Sequence, residues 1–189
     1  MLHALAGLLF FAVYPFWNDK PPEQWNDREI GIMLNSSPWT QMVGQSPEVN
    51  VWFATAEPIE AAEEQAQARR KRTRREPDPD YLDFLRENRE KVFVLAVGYP
   101  TVSGLGKIPG EWTTLEKETH MTVNHKKYPL EGTFPPTASD PVLRLVFPRS
   151  VKPTDNSVVF QLYLPGLPFP ERDAEFFVKN LLYRGKLAM

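Results

Sequence analysis

Hydrophobic and polar positions divide the chain into distinct segments. Leu2 to Trp17 is a nearly unbroken apolar run in which only His3 can ionise. In Trp25-Asn26-Asp27-Arg28-Glu29-Ile30, Asn26 and Glu29 have the spacing of a capping box and Trp25 and Ile30 that of a hydrophobic staple. Ile30, Met33 and Leu34 then share one helical face, and Asn35-Ser36-Ser37-Pro38 stops the helix. Val49, Val51 and Phe53 alternate with Asn50, Trp52 and Ala54, which predicts a strand. Ile59 to Arg75 favours a helix, with acids at its start (Glu57, Glu60, Glu63, Glu64) and bases at its end, the order that complements the helix dipole. Pro77-Asp78-Pro79 breaks that helix. Asp78 can cap a second one, with Pro79 at its first position and Tyr81, Leu82 and Leu85 turned inward.

Val92 to Val97 is apolar at every position. A strand covered on both faces has this pattern, and a buried helical turn shares it. The strand–helix–helix–strand order from Val49 to Val97 permits a parallel crossover. After Gly98 the character changes. Gly104-Leu105-Gly106 and Pro109-Gly110 mark a loop. Short β-like runs follow at Glu118–Val123, Val142–Phe147, Ser157–Leu164, Ala174–Val178 and Leu181–Leu187, separated by Pro, Gly and Asn. They predict an antiparallel meander or set of hairpins. The expected fold class is α+β: a short capped N-terminal helix, the strand–helix–helix–strand unit, then an antiparallel β-rich C-terminal half. Residues 1–17 form an apolar leader or N-terminal segment, and 18–189 a single domain.

Composition narrows the classes of function. The chain has 189 residues, of which 42% are hydrophobic, enough to bury roughly 70% of its unfolded surface. A net charge of −2 argues against a dedicated binder of nucleic acid or anionic membranes. The absence of cysteine removes disulfides, thiolate metal sites, a cysteine nucleophile and a lipidated cysteine. The 19 prolines are about twice the usual ~5% and disfavour a helix bundle. As a helix, the N-terminal run spans only ~24 Å, short of the ~30 Å hydrocarbon core. It has the length of an export signal's apolar region. It lacks a basic start and a small-x-small site at its end. Two readings stand: an export leader, or an apolar segment packed on the domain.

Candidate chemistry is sparse. Arg69, Arg70, Lys71, Arg72, Arg74 and Arg75 form a basic run suited to a polyanion. Their charges point all round a helix, and no aromatic side chain among them can stack a base. A solvated helix end is the simpler reading. His120 and His125, an odd number apart, face opposite sides of one strand unless Asn124 makes a turn between them. No G-x-S-x-G occurs, and Ser103-Gly104-Leu105-Gly106-Lys107 fails the phosphate-loop spacing. The carboxylate pairs Asp78/Asp80 and Glu63/Glu64 lie in polar stretches, whereas catalytic acids need burial. No catalytic residue, cofactor or metal ligand is therefore assigned. Pro165-Gly166-Leu167-Pro168-Phe169-Pro170 is an uncharged apolar loop. Trp39, Trp112 and Phe169 could form an exposed recognition surface, against the plainer reading of core and loop packing.

Several blocks carry a resemblance. Trp25 followed by Leu34–Trp39 (LNSSPW), Thr55–Ala62 (TAEPIEAA), Val94–Pro100 (VLAVGYP), Phe147–Arg149 (FPR) and the terminal Glu175–Met189 (EFFVKNLLYRGKLAM) occur in order over most of the chain. Together they resemble an uncharacterised group of exported bacterial proteins, of a type common in acidobacteria, whose pattern is a leader, W…LL-x-x-SPW, S-A-x-P and Y-x-G-K-L-E-L. The chain departs from it at Thr55, at Ala188-Met189 and in its leader. The resemblance implies export and supplies no catalytic residues.

The expectation is a non-catalytic, exported structural or protein-interaction domain of the bacterial cell envelope, periplasmic or secreted, with an unidentified protein partner. The alternatives are a polyanion or nucleic-acid binder using the basic run, a hydrolase whose site is assembled from distant residues, and a cytoplasmic location. Enzymatic activity is left open, with the balance against it.

Overall fold

A computed structural model describes residues 15–70, 77–100 and 105–189, with the side chain of Arg70 excepted. The chain enters through a four-residue helix, α1 (Phe16–Asp19), whose Phe16 and Trp17 are buried. The capping box then forms as the sequence predicts. The Glu29 N–H donates to Asn26 Oδ1 and the Asn26 N–H to Glu29 Oε2, both at 2.9 Å, at the start of α2 (Asp27–Ser36). Two strands follow, β1 (Thr40–Val43) and β2 (Val49–Phe53). Next come α3 (Glu57–Arg70), α4 (Pro79–Asn88) and β3 (Val92–Gly98). The second half contains α5 (Glu111–Glu118), β4 (His120–Val123), β5 (Lys126–Pro129), β6 (Gly132–Phe134), β7 (Val142–Pro148), β8 (Ser157–Tyr163) and β9 (Glu171–Phe177). A small hairpin, β10 (Leu182–Tyr183) and β11 (Lys186–Leu187), completes it. The fold is α+β.

Among the described residues the larger sheets are a five-stranded one, ordered β1-β2-β3-β7-β6, and a four-stranded one, ordered β5-β4-β8-β9. Every pairing is antiparallel. The parallel crossover that the sequence permits is thereby corrected. Phe53, at the end of β2, pairs with Leu95 in the middle of β3, and Val51 before it with Val97 near the end of β3. The chain thus leaves and re-enters the sheet at the same end, with α3 and α4 in the connection. Two further differences concern short elements. Glu118 ends a helix rather than opening a strand, and β1 has too few residues to show an alternation.

The two large sheets meet through phenylalanine rings. Phe53, Phe93 and Phe147 come from the five-stranded sheet, and Phe160 and Phe176 from the other. Phe53 lies 4.7 Å from Phe176, and Phe147 lies 5.1 Å from Phe160, centroid to centroid. The first pair is edge-on and the second tilted, and aromatic pairs of favourable geometry add about 0.5–1.5 kcal/mol each beyond the area they bury. The opposite face of β3 carries Val92 and Val94, which pack with Val146 of β7 against Tyr81 and Leu85 of α4. Helix on one side and sheet on the other explain why every position from Val92 to Val97 is apolar. On β9 the inward positions Arg172, Ala174 and Phe176 alternate with exposed Glu171, Asp173, Glu175 and Phe177.

Candidate functional site

The connection between β8 and β9 is the apolar loop noted in the sequence. Its ends are tied together by the Leu164 N–H, which donates to the Pro170 carbonyl at 2.9 Å. Leu164 and Leu167 turn inward and are buried. Phe169 does the opposite: its side chain is 77% exposed, and its backbone is left-handed at φ 51°. A bulky residue adopts that conformation only when its surroundings enforce it.

Two buried charged side chains bind the loop backbone on either side of Phe169. Glu111, 5% exposed, opens α5 directly after the left-handed Gly110, where the helix dipole favours a carboxylate. Its Oε1 accepts the Gly166 N–H at 3.0 Å. Arg172, 6% exposed, grips the other limb. Its Nη2 donates to the Pro168 carbonyl at 3.1 Å and its Nη1 to the Glu171 carbonyl at 2.8 Å. Room for that guanidinium depends on Gly44 (φ 84°), where a Cβ would stand 2.0 Å from Arg172 Nε. Burying an ion costs several kcal/mol unless hydrogen bonds compensate. Here both ions bind backbone of the same loop and its stem. Glu111 Oε2 and the Tyr99 hydroxyl are buried without a hydrogen-bond partner among the described residues. Burial first, and the Glu111 charge second, push the Tyr99 phenol above its usual range. The arrangement fixes the backbone of the loop from which the exposed Phe169 ring projects.

The candidates read from the sequence separate in the structure. Trp39 does not belong to an exposed surface: it is fully buried, and its indole N–H donates to the Ala188 carbonyl at 2.7 Å. It packs edge-on against Trp17, so its ring completes the core. Trp112 is half-buried against that core. It follows Glu111 in the chain. Phe169 alone of the three is prominently exposed.

Arg69 of the basic run links two helices. It pairs with Asp27 at 2.9 Å and donates to the Trp25 carbonyl, tying α3 to the start of α2. Arg70 ends α3. Lys71, Arg72, Arg74 and Arg75 lie outside the described residues, as do Ser103 and Gly104. A cavity of about 280 Å³ between α2 and α3 is lined by Ile30, Leu34 and Ala66 with the Asp27–Arg69 pair at its rim.

Asn124 does form the turn that the sequence allowed. Asn124 and His125 are both left-handed (φ 48° and 65°) and join β4 to β5. His125 is exposed at that turn, while His120 sits on β4 with Nδ1 2.9 Å from the Glu118 carbonyl oxygen. Among the described residues no three histidine, aspartate or glutamate side chains converge as metal ligands. Asp78 caps α4, its Oδ1 accepting the Asp80 N–H at 2.9 Å. Glu63 faces Arg144 and Asp140. Loss of surrounding water pushes its carboxyl upward and Arg144 pulls it down. The residue keeps an exposed surface, so solvent screening limits the effect. Arg144 itself is buried, paired with Asp140 at 2.7 Å and laid over the Tyr81 ring.

Sequence reasoning missed Glu111 and Arg172. A signal for Arg172 existed: it occupies the inward register of β9, between Pro170 and Ala174, where an apolar residue is the rule. Glu111 followed Pro109-Gly110 at a helix start, but nothing local showed that it was buried. Comparisons of the chain with protein families, with curated proteins and with solved structures gave no match.

Proposed function

We propose that this chain is a non-catalytic interaction domain, exported to the bacterial cell envelope, that engages a protein partner through the loop around Phe169. One observation carries the reading. An exposed phenylalanine is held left-handed by a loop that a buried carboxylate and a buried guanidinium clamp from two sides. Fixing the loop backbone before contact removes part of the ordering cost of binding, and aromatic anchors dominate the energetics of many interfaces. Export is supported by the apolar start and by the blocks that resemble exported bacterial proteins.

The test is site-specific crosslinking in the native bacterium. A photoreactive phenylalanine analogue at position 169 is compared with one at Glu175, which is also exposed. A discrete protein adduct from position 169 only, recovered in the envelope fraction, is expected. Equal or absent adducts at the two positions would overturn the anchor, and a purely cytosolic protein would overturn export.

A further inference from the structure

The leader reading leaves open where the mature protein begins, and the apolar run continues through Trp17. We infer that any proteolytic removal of the leader cuts N-terminal to Phe16, so that Phe16 and Trp17 stay in the exported domain. This inference rests on the export reading proposed above. It moves the domain boundary from residue 18, where the sequence places it, to residue 16 or earlier.

Three observations carry it. First, Phe16 and Trp17 are each 6% exposed. Their rings join an aromatic chain: Phe16 stands edge-on to Trp17 at 5.1 Å and to Trp25 at 5.6 Å, and Trp17 stands edge-on to Trp39 at 5.7 Å. Trp25 and Trp39 are themselves almost fully buried, so loss of Phe16 and Trp17 would open the core beside two tryptophans. Second, the first turn is tied by backbone bonds. The Asn18 N–H donates to the Pro15 carbonyl at 3.0 Å and the Lys20 N–H to the Phe16 carbonyl at 2.8 Å. Third, the turn holds a distant part of the chain, since the Arg184 N–H donates to Asn18 Oδ1 at 2.9 Å. A cut after Trp17 would remove both rings and leave Asn18 as a free end. It would also put bulky Pro15 and Trp17 at the positions where leader peptidases take small side chains.

The test uses the protein recovered from native envelopes, with its first residue identified by mass spectrometry. A start at any position from 2 to 16 is expected. A folded envelope protein starting at Trp17 or later would overturn the inference. An uncut chain in the envelope would likewise keep Phe16 and Trp17 in the exported domain and so support the inference, whereas a cytosolic protein would overturn export itself. In the full chain, Trp17→Ala is expected to lower Tm by ~10 °C, and Trp17→Phe to recover most of that loss. An unchanged Tm for Trp17→Ala would remove the structural basis of the inference. If Trp17→Ala fails to fold, the Trp17→Phe measurement stands in for it, with a smaller loss expected and no change counting against the inference.

Discussion

The indole N–H of Trp39 reaches the carbonyl of Ala188 at 2.7 Å, a bond between residues 149 apart in sequence. It joins the turn between α2 and β1 to the C-terminal segment of the chain. Trp39→Phe keeps an aromatic ring there and deletes the donor. Leaving the carbonyl without its partner is expected to lower unfolding free energy by about 1–3 kcal/mol, measured by chemical denaturation. An unchanged midpoint would show that water replaces the indole at no cost.

Phe169 sets stability against binding. Asparagine tolerates the left-handed backbone better than phenylalanine does. Phe169→Asn is therefore expected to leave stability unchanged or raise it by about 1 kcal/mol, while abolishing the contact made by the loop. Thermal unfolding reads the first effect, and retention of the crosslinked partner in competition with unlabelled variant reads the second. A clear drop in Tm would mean that the ring is held by the fold.

Glu111→Ala frees the Gly166 N–H. A hydrogen bond to a charged acceptor contributes about 1.5–3 kcal/mol, so exchange of that amide is expected to accelerate roughly 10- to 100-fold. Glu111→Gln retains an acceptor and is expected to recover part of the protection. Hydrogen exchange followed by NMR distinguishes the three proteins.

Gly44→Ala places a methyl group against Arg172, whose guanidinium is fixed by two carbonyls. The substitution is expected to destabilise by more than the ~1–2 kcal/mol of left-handed alanine alone. In an Arg172→Ala background only that smaller cost should remain. A double-mutant cycle from denaturation midpoints measures the coupling, and simple additivity of the two changes would refute the contact.

Glu29 carries a pH dependence with a definite sign. Its bond from Lys20 holds the carboxyl below its ordinary value of 4.5. A depressed folded value means that the charged form favours the native state. The contribution is present above 4.5 and is lost as pH falls through the folded value. The stability gap between the wild type and Glu29→Gln should therefore be constant near neutrality and shrink below pH 4.5. A gap that widens on acidification would reverse the assignment.

Local signals were legible in the sequence wherever neighbours in the chain determine the outcome. Asn26 and Glu29 announce the start of α2 because both halves of the capping box lie within one turn. Pro79 and Asp78 announce α4 for the same reason, and Val92–Val97 shows double coverage through composition alone. The direction of β3 was not legible, because it depends on where two helices return the chain. Trp39 was misplaced because a tryptophan beside a proline turn reads alike whether it points outward or reaches Ala188. Phe169 could be singled out by its proline frame, but of the two side chains that bind its loop only Arg172 is a near neighbour in sequence, whereas Glu111 comes from α5, 55 residues before Gly166.

The alternation on β9 has an effect at high protein concentration. Glu171, Asp173 and Glu175 occupy every second position of a strand at the margin of its sheet. A second molecule trying to extend that sheet would bring three more carboxylates alongside them, and like charges in register repel. The margin that could otherwise template fibre growth is thereby blunted.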